Sequence, residues 1–346
     1  MKKRIVTSAL VMIQMLMLAF APSGELLANE ENEEVVIGSV QVTIAADAPG
    51  SSWHAFSETF STLLKSKLPK DATFTIISEG NGLTNPTLLT SRKATLALSY
   101  AATALWAFNG MAPMYGGAKH DGLRALAGGL SSVWFTALIH EGYIQRTGHA
   151  TLEQAISSKK PVRIITTHSG TLAPILMDGV LASLGSSREK IKANGGEILL
   201  VEPGALAEVL GANKADVYFE TAEINDPKLN AVLEKAKLRF VDLPKKALAA
   251  LKAKGLIPGI LPKSYKGQKG PIQAADLGVV LLATESLPDD LAELFTSTLL
   301  ESSAEFAKAH PAYGLFKKEN SAKKALTGVP LHGGVMTYYR MEGWLE

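Results

Sequence analysis

The sequence predicts an α/β protein built as two lobes. Short β-rich runs alternate with helix-period segments over residues 39–309, several runs end in small-residue loops that open a helix, and the 346-residue chain exceeds what one core usually fills. The first run, 40–46, breaks at Asp47-Ala48-Pro49-Gly50. Ser51 and Ser52 then stand where a helix cap belongs, and Trp53, Phe56, Phe60, Leu63 and Leu64 follow at helical spacing. A second strand over 73–78 closes in Glu79-Gly80-Asn81-Gly82, and 85–91 reads as a helix whose first turn accommodates Pro86. A strand over 96–99 leads into a helical run to Phe108 and a glycine-rich loop over 110–122.

Beyond that loop the spacing predicts strands over 123–128, 134–140, 162–166, 198–201, 215–219, 238–241 and 277–283. Helices are predicted over 152–157, 172–184, 206–210, 243–254 and, as one long element, 288–309. Residues 255–271, rich in proline and glycine, are expected to be irregular. Alternation of this length predicts largely parallel strand pairing.

The N-terminus bears on location. Lys2-Lys3-Arg4, an apolar run over 5–21, the turn Pro22-Ser23-Gly24 and the exit Leu26-Leu27-Ala28 have the layout of a cleavable secretory signal peptide over 1–28. The mature chain is therefore expected in the periplasm, with 29–38 as an acidic linker. Of 35 basic and 33 acidic residues, three basic (Lys2, Lys3, Arg4) and one acidic (Glu25) fall in the leader, which leaves 32 of each. That balance gives no footprint for nucleic acid or an anionic membrane surface. The absence of cysteine excludes disulfides, thiolate metal sites and cysteine nucleophiles.

Catalytic signatures are missing. There is no Gly-x-x-x-x-Gly-Lys-Ser/Thr loop, no Gly-x-Ser-x-Gly elbow and no His-Glu-x-x-His helix, and Asn85 replaces the third glycine of a dinucleotide fingerprint. His140-Glu141 has no second ligand at metal spacing. No cofactor, no metal and no enzymatic role is expected. What recurs is a strand ending in a small-residue loop that starts a helix: Asp47 to Ser52, Glu79 to Gly82, and Thr167-His168-Ser169-Gly170-Thr171. Such ends leave amide donors unpaired and converge on one crevice in an open sheet, which suits a small polar ligand. The same residues also serve as ordinary turns and caps.

Three blocks, Ile44-Ala45-Ala46-Asp47-Ala48-Pro49-Gly50-Ser51-Ser52-Trp53-His54, 85–110 ending in Trp106-Ala107-Phe108-Asn109-Gly110, and Leu123-Arg124-Ala125-Leu126-Ala127, carry a resemblance. Through them the chain resembles the TAXI family of solute receptors, the extracytoplasmic subunits of TRAP transporters. Ser169-Gly170-Thr171, Ala215-Asp216-Val217-Tyr218-Phe219, Leu287-Pro288-Asp289-Asp290-Leu291 and Pro330-Leu331-His332-Gly333 continue it in order. It implies a two-lobed periplasmic-binding-protein fold of type II, with one lobe from 39–135 plus 272–346, the other from 136–271, and a ligand cleft between them. It also implies a small carboxylate or amino acid as ligand and a TRAP membrane permease as partner.

The departures concern the pocket. His54 stands for an aromatic, Tyr100-Ala101-Ala102 for a polar Gln-Ser-Asp group, His168 for a glycine and Glu220 for an apolar residue. With Trp53 and Tyr100 these leave more ring surface and fewer hydrogen-bonding groups, so a bulkier or aromatic organic acid, or a zwitterion, also fits. The expected ligand-binding residues are Gly50, Ser51, Ser52, Trp53, Asn81, Gly82, Tyr100, His168, Ser169, Gly170, Thr171 and Glu220. Trp53 and Trp106 are open to a core role, and His168 to a capping one. The rival reading is an exported sensory binding protein, or an enzyme, on the same fold.

Overall fold

The computed structural model describes residues 40–112 and 114–345; the leader expected at 1–28 and the linker at 29–38 lie outside the described residues. Twelve strands follow in chain order: β1 Gln41–Ala45, β2 Thr73–Ile77, β3 Leu96–Tyr100, β4 Leu123–Gly128, β5 Val133–His140, β6 Arg163–Thr167, β7 Glu197–Val201, β8 Val217–Glu223, β9 Leu238–Val241, β10 Ile257–Leu261, β11 Ile272–Asp276 and β12 Val279–Thr284. They form two sheets. The first runs β2-β1-β3-β12-β4, the second β10-β11-β5-β8-β6-β7, with β9 also paired to β5.

The two sheets share a plan. Each contains a parallel trio, β2-β1-β3 in one and β7-β6-β8 in the other, and each trio is flanked by one antiparallel strand. That flanking strand is β12 beside β3 and β5 beside β8, the two strands that directly follow a passage between the sheets. The expected α/β class, two-lobed and of the type II kind, is the class observed.

The passages occupy 129–132 and 277–278, because β5 from Val133 and β11 up to Asp276 both run in the second sheet. The expected change-over points were 135/136 and 271/272. The passages are laced to each other: Val279 N donates to Ser131 O, Leu130 N to Val279 O and Leu277 N to Val133 O. Buried Asp276 accepts from Ser132 Oγ (2.7 Å), Val133 N (3.1 Å) and Gly278 N (2.9 Å). Gly129 (φ 67°) and Gly278 (φ 61°) hold left-handed backbone, which glycine adopts without the Cβ clash other residues pay.

Several expectations are corrected. Only four of the ten strand pairs are parallel, because the exchanged strands β5 and β12 and the chain that returns beside them run opposite to their neighbours. The stretch expected to be irregular contains β10, where Pro258 is tolerated because β10 is an edge strand. The expected strand over 277–283 is preceded by a separate strand, β11, with the turn at Leu277-Gly278 between them. The helix expected over 288–309 breaks at Ser302 into Asp289–Glu301 and Ser303–Ala309. Strand β8 continues past Phe219 to Glu223.

One apolar cluster runs through the first sheet and one face of the second, from Ile44 and Phe56 to Phe135, Phe219 and Leu176. A second cluster, with Trp134, Tyr218, Leu229 and Phe240, covers the other face of the second sheet. Among the described residues no helix is long and apolar enough to cross a membrane.

Candidate functional site

The parallel trios place their C-terminal ends at one edge of each sheet. In the first sheet Ala45 pairs with Ile77 and with Ala97, so the chain leaves β1, β2 and β3 at the same edge, toward Asp47, Glu79 and Tyr100. In the second, Ile165 pairs with Tyr218, which brings Thr167 level with Glu220, and antiparallel β5 sets Thr136 directly opposite Glu220. A hydrogen bond from Ser52 Oγ to Glu223 Oε1 (2.5 Å) joins the two edges.

The first helix, Ser52–Lys65, supplies one wall. Ser51 is its cap and accepts from His54 N, while Ser52 and Trp53 are buried and Tyr313 Oη donates to Ser52 O (2.9 Å). Trp53 packs on Tyr100 in a tilted pair, with ring centroids 5.1 Å apart at 57°. Gly82 lies against the same tyrosine, where a Cβ would run into the ring. Its carbonyl accepts from Ser99 Oγ (2.9 Å), which fixes the loop on β3. Beneath these loops, buried Asn85 donates from Nδ2 to Ala46 O (2.9 Å), Leu98 O (2.8 Å) and Ala45 O (3.3 Å). It ties the ends of β1 and β3 together, a structural duty in place of the missing third glycine.

The second wall is acidic. Glu220 accepts from Tyr218 Oη and from Thr221 N (2.7 Å), and Glu223 accepts from Ser52. Both carboxyls, like Tyr100, are deeply set yet still touched by solvent. Burial pushes Glu220 up to about 7 against the help of Tyr218 and Thr221. Burial likewise pushes Glu223 up to about 7, opposed by the Ser52 hydrogen bond and reinforced by Asp226 and Asp47. The Tyr100 phenol is raised by burial first and then by the fields of Glu223, Asp47, Glu220 and Asp226.

The structure thus brings Ser52, Trp53, Gly82 and Tyr100 together, with Glu223 joined to Ser52, whereas Glu220 projects from the other face of β8, on the side of Tyr218. Ser51 and Asn81 are spent on their own turns, Asn81 Oδ1 accepting from Leu83 N (2.9 Å) and Thr84 N (3.3 Å). Gly50, at φ 84°, is exposed with nothing near the place of a side chain. Ser169 and Gly170 are exposed at the end of β6, and His168 Nδ1 accepts from Gly170 N (3.3 Å) while its other nitrogen lies 4.0 Å from Glu202. Thr171 Oγ1 bonds Thr167 Oγ1 (2.5 Å) and His168 O (2.8 Å). Trp106 is core, its Nε1 donating to Lys254 O (2.6 Å).

Sequence reading missed Glu223, Asp226 and Thr136. The strand predicted over 215–219 stops short of Glu223, and the polar run Glu220-Thr221-Ala222-Glu223 carries no apolar alternation to extend it. Elsewhere, an open recess of about 600 Å³ is lined by Arg146, Arg163 and Asp216. It lies at the opposite end of β6 and β8, where Arg163 Nη2 (2.8 Å) and Arg146 Nη2 (3.0 Å) neutralise Asp216. His140 caps its own helix by accepting from Gly142 N, and Glu141 pairs with Arg239, so neither is a free ligand.

In structure the chain is similar to the alkanesulfonate-binding protein SsuA from Xanthomonas axonopodis pv. citri bound to MOPS, at 15% identity over 88% of this chain and 80% of that one, TM-score 0.41. It is similar to a TctC solute binding protein from Polaromonas, at 13% identity over 79% and 88%, TM-score 0.47. A binding protein component of an ABC phosphonate transporter from Pseudomonas aeruginosa is similar at 11% identity over 79% and 78%, TM-score 0.49. None of the curated proteins matches the chain. Residues 44–343 match the NMT1-like family, and the chain belongs to it.

Proposed function

We propose that the chain is an exported, periplasmic solute receptor that holds one small molecule between the facing edges of its two sheets and hands it to a membrane permease of the TRAP kind. Its lobes follow the sheets, and binding involves no bond-making step. The observation that carries this reading is the Ser52–Glu223 hydrogen bond, which joins the two edges beside Trp53, Tyr100 and Gly82. In this reading the Thr167–Thr171 loop, at the C-terminal end of β6, closes the far side of the same gap. Two laced passages with a left-handed glycine in each suit a hinge about which the lobes open and close.

A thermal-shift screen of the purified exported protein against organic acids, amino acids and amines tests the reading. A single-site ligand at a hundred times its Kd adds about 2.7 kcal/mol of stability. Ligand stabilisation that is lost when Trp53 is replaced by alanine supports the site. A screen in which nothing raises the melting temperature, with nothing co-purifying, removes it.

A further inference from the structure

Away from the two passages, two hydrogen bonds and no ion pair link the lobes among the described residues. One is the Ser52–Glu223 bond at the cleft. The other lies beside the hinge. In the second lobe the helix Lys245–Ala253 ends at Lys254-Gly255-Leu256. Gly255 takes left-handed backbone (φ 90°), and Gly255 N and Leu256 N turn back to Lys252 O (2.9 Å) and Leu251 O (3.1 Å), the pairing that closes a helix on glycine. The next carbonyl, that of Lys254, finds no N–H four residues on, because that residue is Pro258. Trp106 of the first lobe supplies the donor: its Nε1 reaches Lys254 O at 2.6 Å, and the indole is fully buried.

An apolar contact surrounds this bond. Leu105, beside Trp106 on the helix Ala101–Asn109, fills the space over Gly255, where a Cβ would lie 2.8 Å from Leu105 Cδ2 and 3.6 Å from Ala102 Cα. Gly255 therefore serves twice, for its φ and for the close approach of the other lobe. Ile257, the first residue of β10, reaches over Gly278 in the passage, its Cδ1 3.8 Å from the place of a Cβ there and Ala101 Cβ 3.7 Å from it. Parting the lobes at this contact would strand a buried indole N–H and a helix-end carbonyl together. The contact thus favours the arrangement in which Ser52 meets Glu223, and none of Leu105, Trp106 and Gly255 belongs to the cleft wall.

Resting on the receptor reading above for the movement of the lobes, we propose that Leu105 and Trp106 are positioning residues for the solute. They hold the lobes in the bridged arrangement from beside the hinge, so the affinity of the cleft depends on a contact that no solute touches. A receptor whose binding-competent form is only a fraction of the whole binds more weakly by that fraction. Loosening this contact therefore lowers affinity while the cleft wall stays intact.

The chain has no cysteine, so nitroxide labels attach only where cysteines are introduced. Glu58→Cys on the helix Ser52–Lys65 and Glu234→Cys on the helix Pro227–Lys235 are exposed sites, one on each lobe. Pulsed dipolar spectroscopy then reads the distance between them in the whole protein, without solute. The expected result is one principal distance in the labelled parent. In Leu105→Ala and in Trp106→Phe a second distance should appear, its ratio to the first raised about tenfold. Ile191→Ala, which opens a cavity under the second lobe's helix Arg188–Ala193, should melt below the parent yet keep the parent's distances. If Trp106→Phe does not fold, the half-buried Leu105→Ala carries the test alone. Distances in Leu105→Ala that match the parent's overturn the proposal, and so does a parent already spread over both distances. A shift in Ile191→Ala as large as that in Leu105→Ala also overturns it, because general loosening is then the cause. No arm involves a solute, so a failed ligand screen removes the receptor reading without altering what these distances decide.

Discussion

Glu223→Gln should make the ligand-free protein more stable at pH 8 and leave it nearly unchanged at pH 5. A carboxyl moved by burial from its ordinary 4.5 to about 7 costs about 3 kcal/mol to ionise in place, at 1.4 kcal/mol per pH unit. The direction follows from the proton count. Between roughly pH 4.5 and 7 the native state keeps a proton that the unfolded chain has released, so stability falls as pH rises through that window and stays low above it. Glutamine never ionises and escapes the loss. The Ser52 hydrogen bond takes nothing further from this gain, because its help to the charged form is already contained in the shift. The net gain at pH 8 is about 3 kcal/mol, a rise of about 5 °C in Tm for a chain of this size. Thermal melts of parent, Glu223→Gln and Glu234→Gln at pH 5, 6, 7 and 8 measure it. A gap between parent and Glu223→Gln that does not widen as pH rises would refute the reasoning.

Two further changes probe the frame. Asp216→Asn should cost about 3 kcal/mol in chemical denaturation, because it strands Arg163 and Arg146 beside a site whose carboxylate is only 3% exposed. Burial alone would raise Asp216, but hydrogen bonds from the Arg163 side chain and backbone and from Arg146 outweigh it and hold the carboxyl below its ordinary range. Its contribution is therefore present above pH 4 or so and is lost as pH falls through the depressed midpoint, which an acid titration of parent against variant reads. Asn85→Ala should lose about 2 to 3 kcal/mol by leaving the carbonyls of Ala45, Ala46 and Leu98 without their shared donor. Urea melts check it, and the Trp53–Tyr100 side of the cleft should loosen with it.

Local patterns made much of the fold legible. Val42, Ile44 and Leu98 announce buried strands, Ser51 its cap and Pro86 the first turn of a helix, and each stands where the residues place it. Pairing direction was not legible, because it depends on which strands change sheets. Nothing in the local sequence of β5 or β12 distinguishes an exchanged strand from its neighbours. Strand β10 was hidden because Pro258 and Gly259 argue against a strand unless it lies at an edge, and Gly259 is there to clear the Trp134 ring. Within the site, aromatic and small residues gave away Trp53, Gly82 and Tyr100. Glu223 could not be seen because its partner, Ser52, is 171 residues distant.

The position of β12 governs how the molecule can be made. It lies between β3 and β4, so the first sheet has a vacant slot until residues 279–284 arrive, about 150 residues after β4 has emerged from the ribosome. At ordinary elongation rates that interval is on the order of ten seconds, during which two strands wait with bare edges. An N-terminal half expressed by itself has no means to seal them. The nascent polypeptide must be kept from premature association until nearly all of it is synthesised.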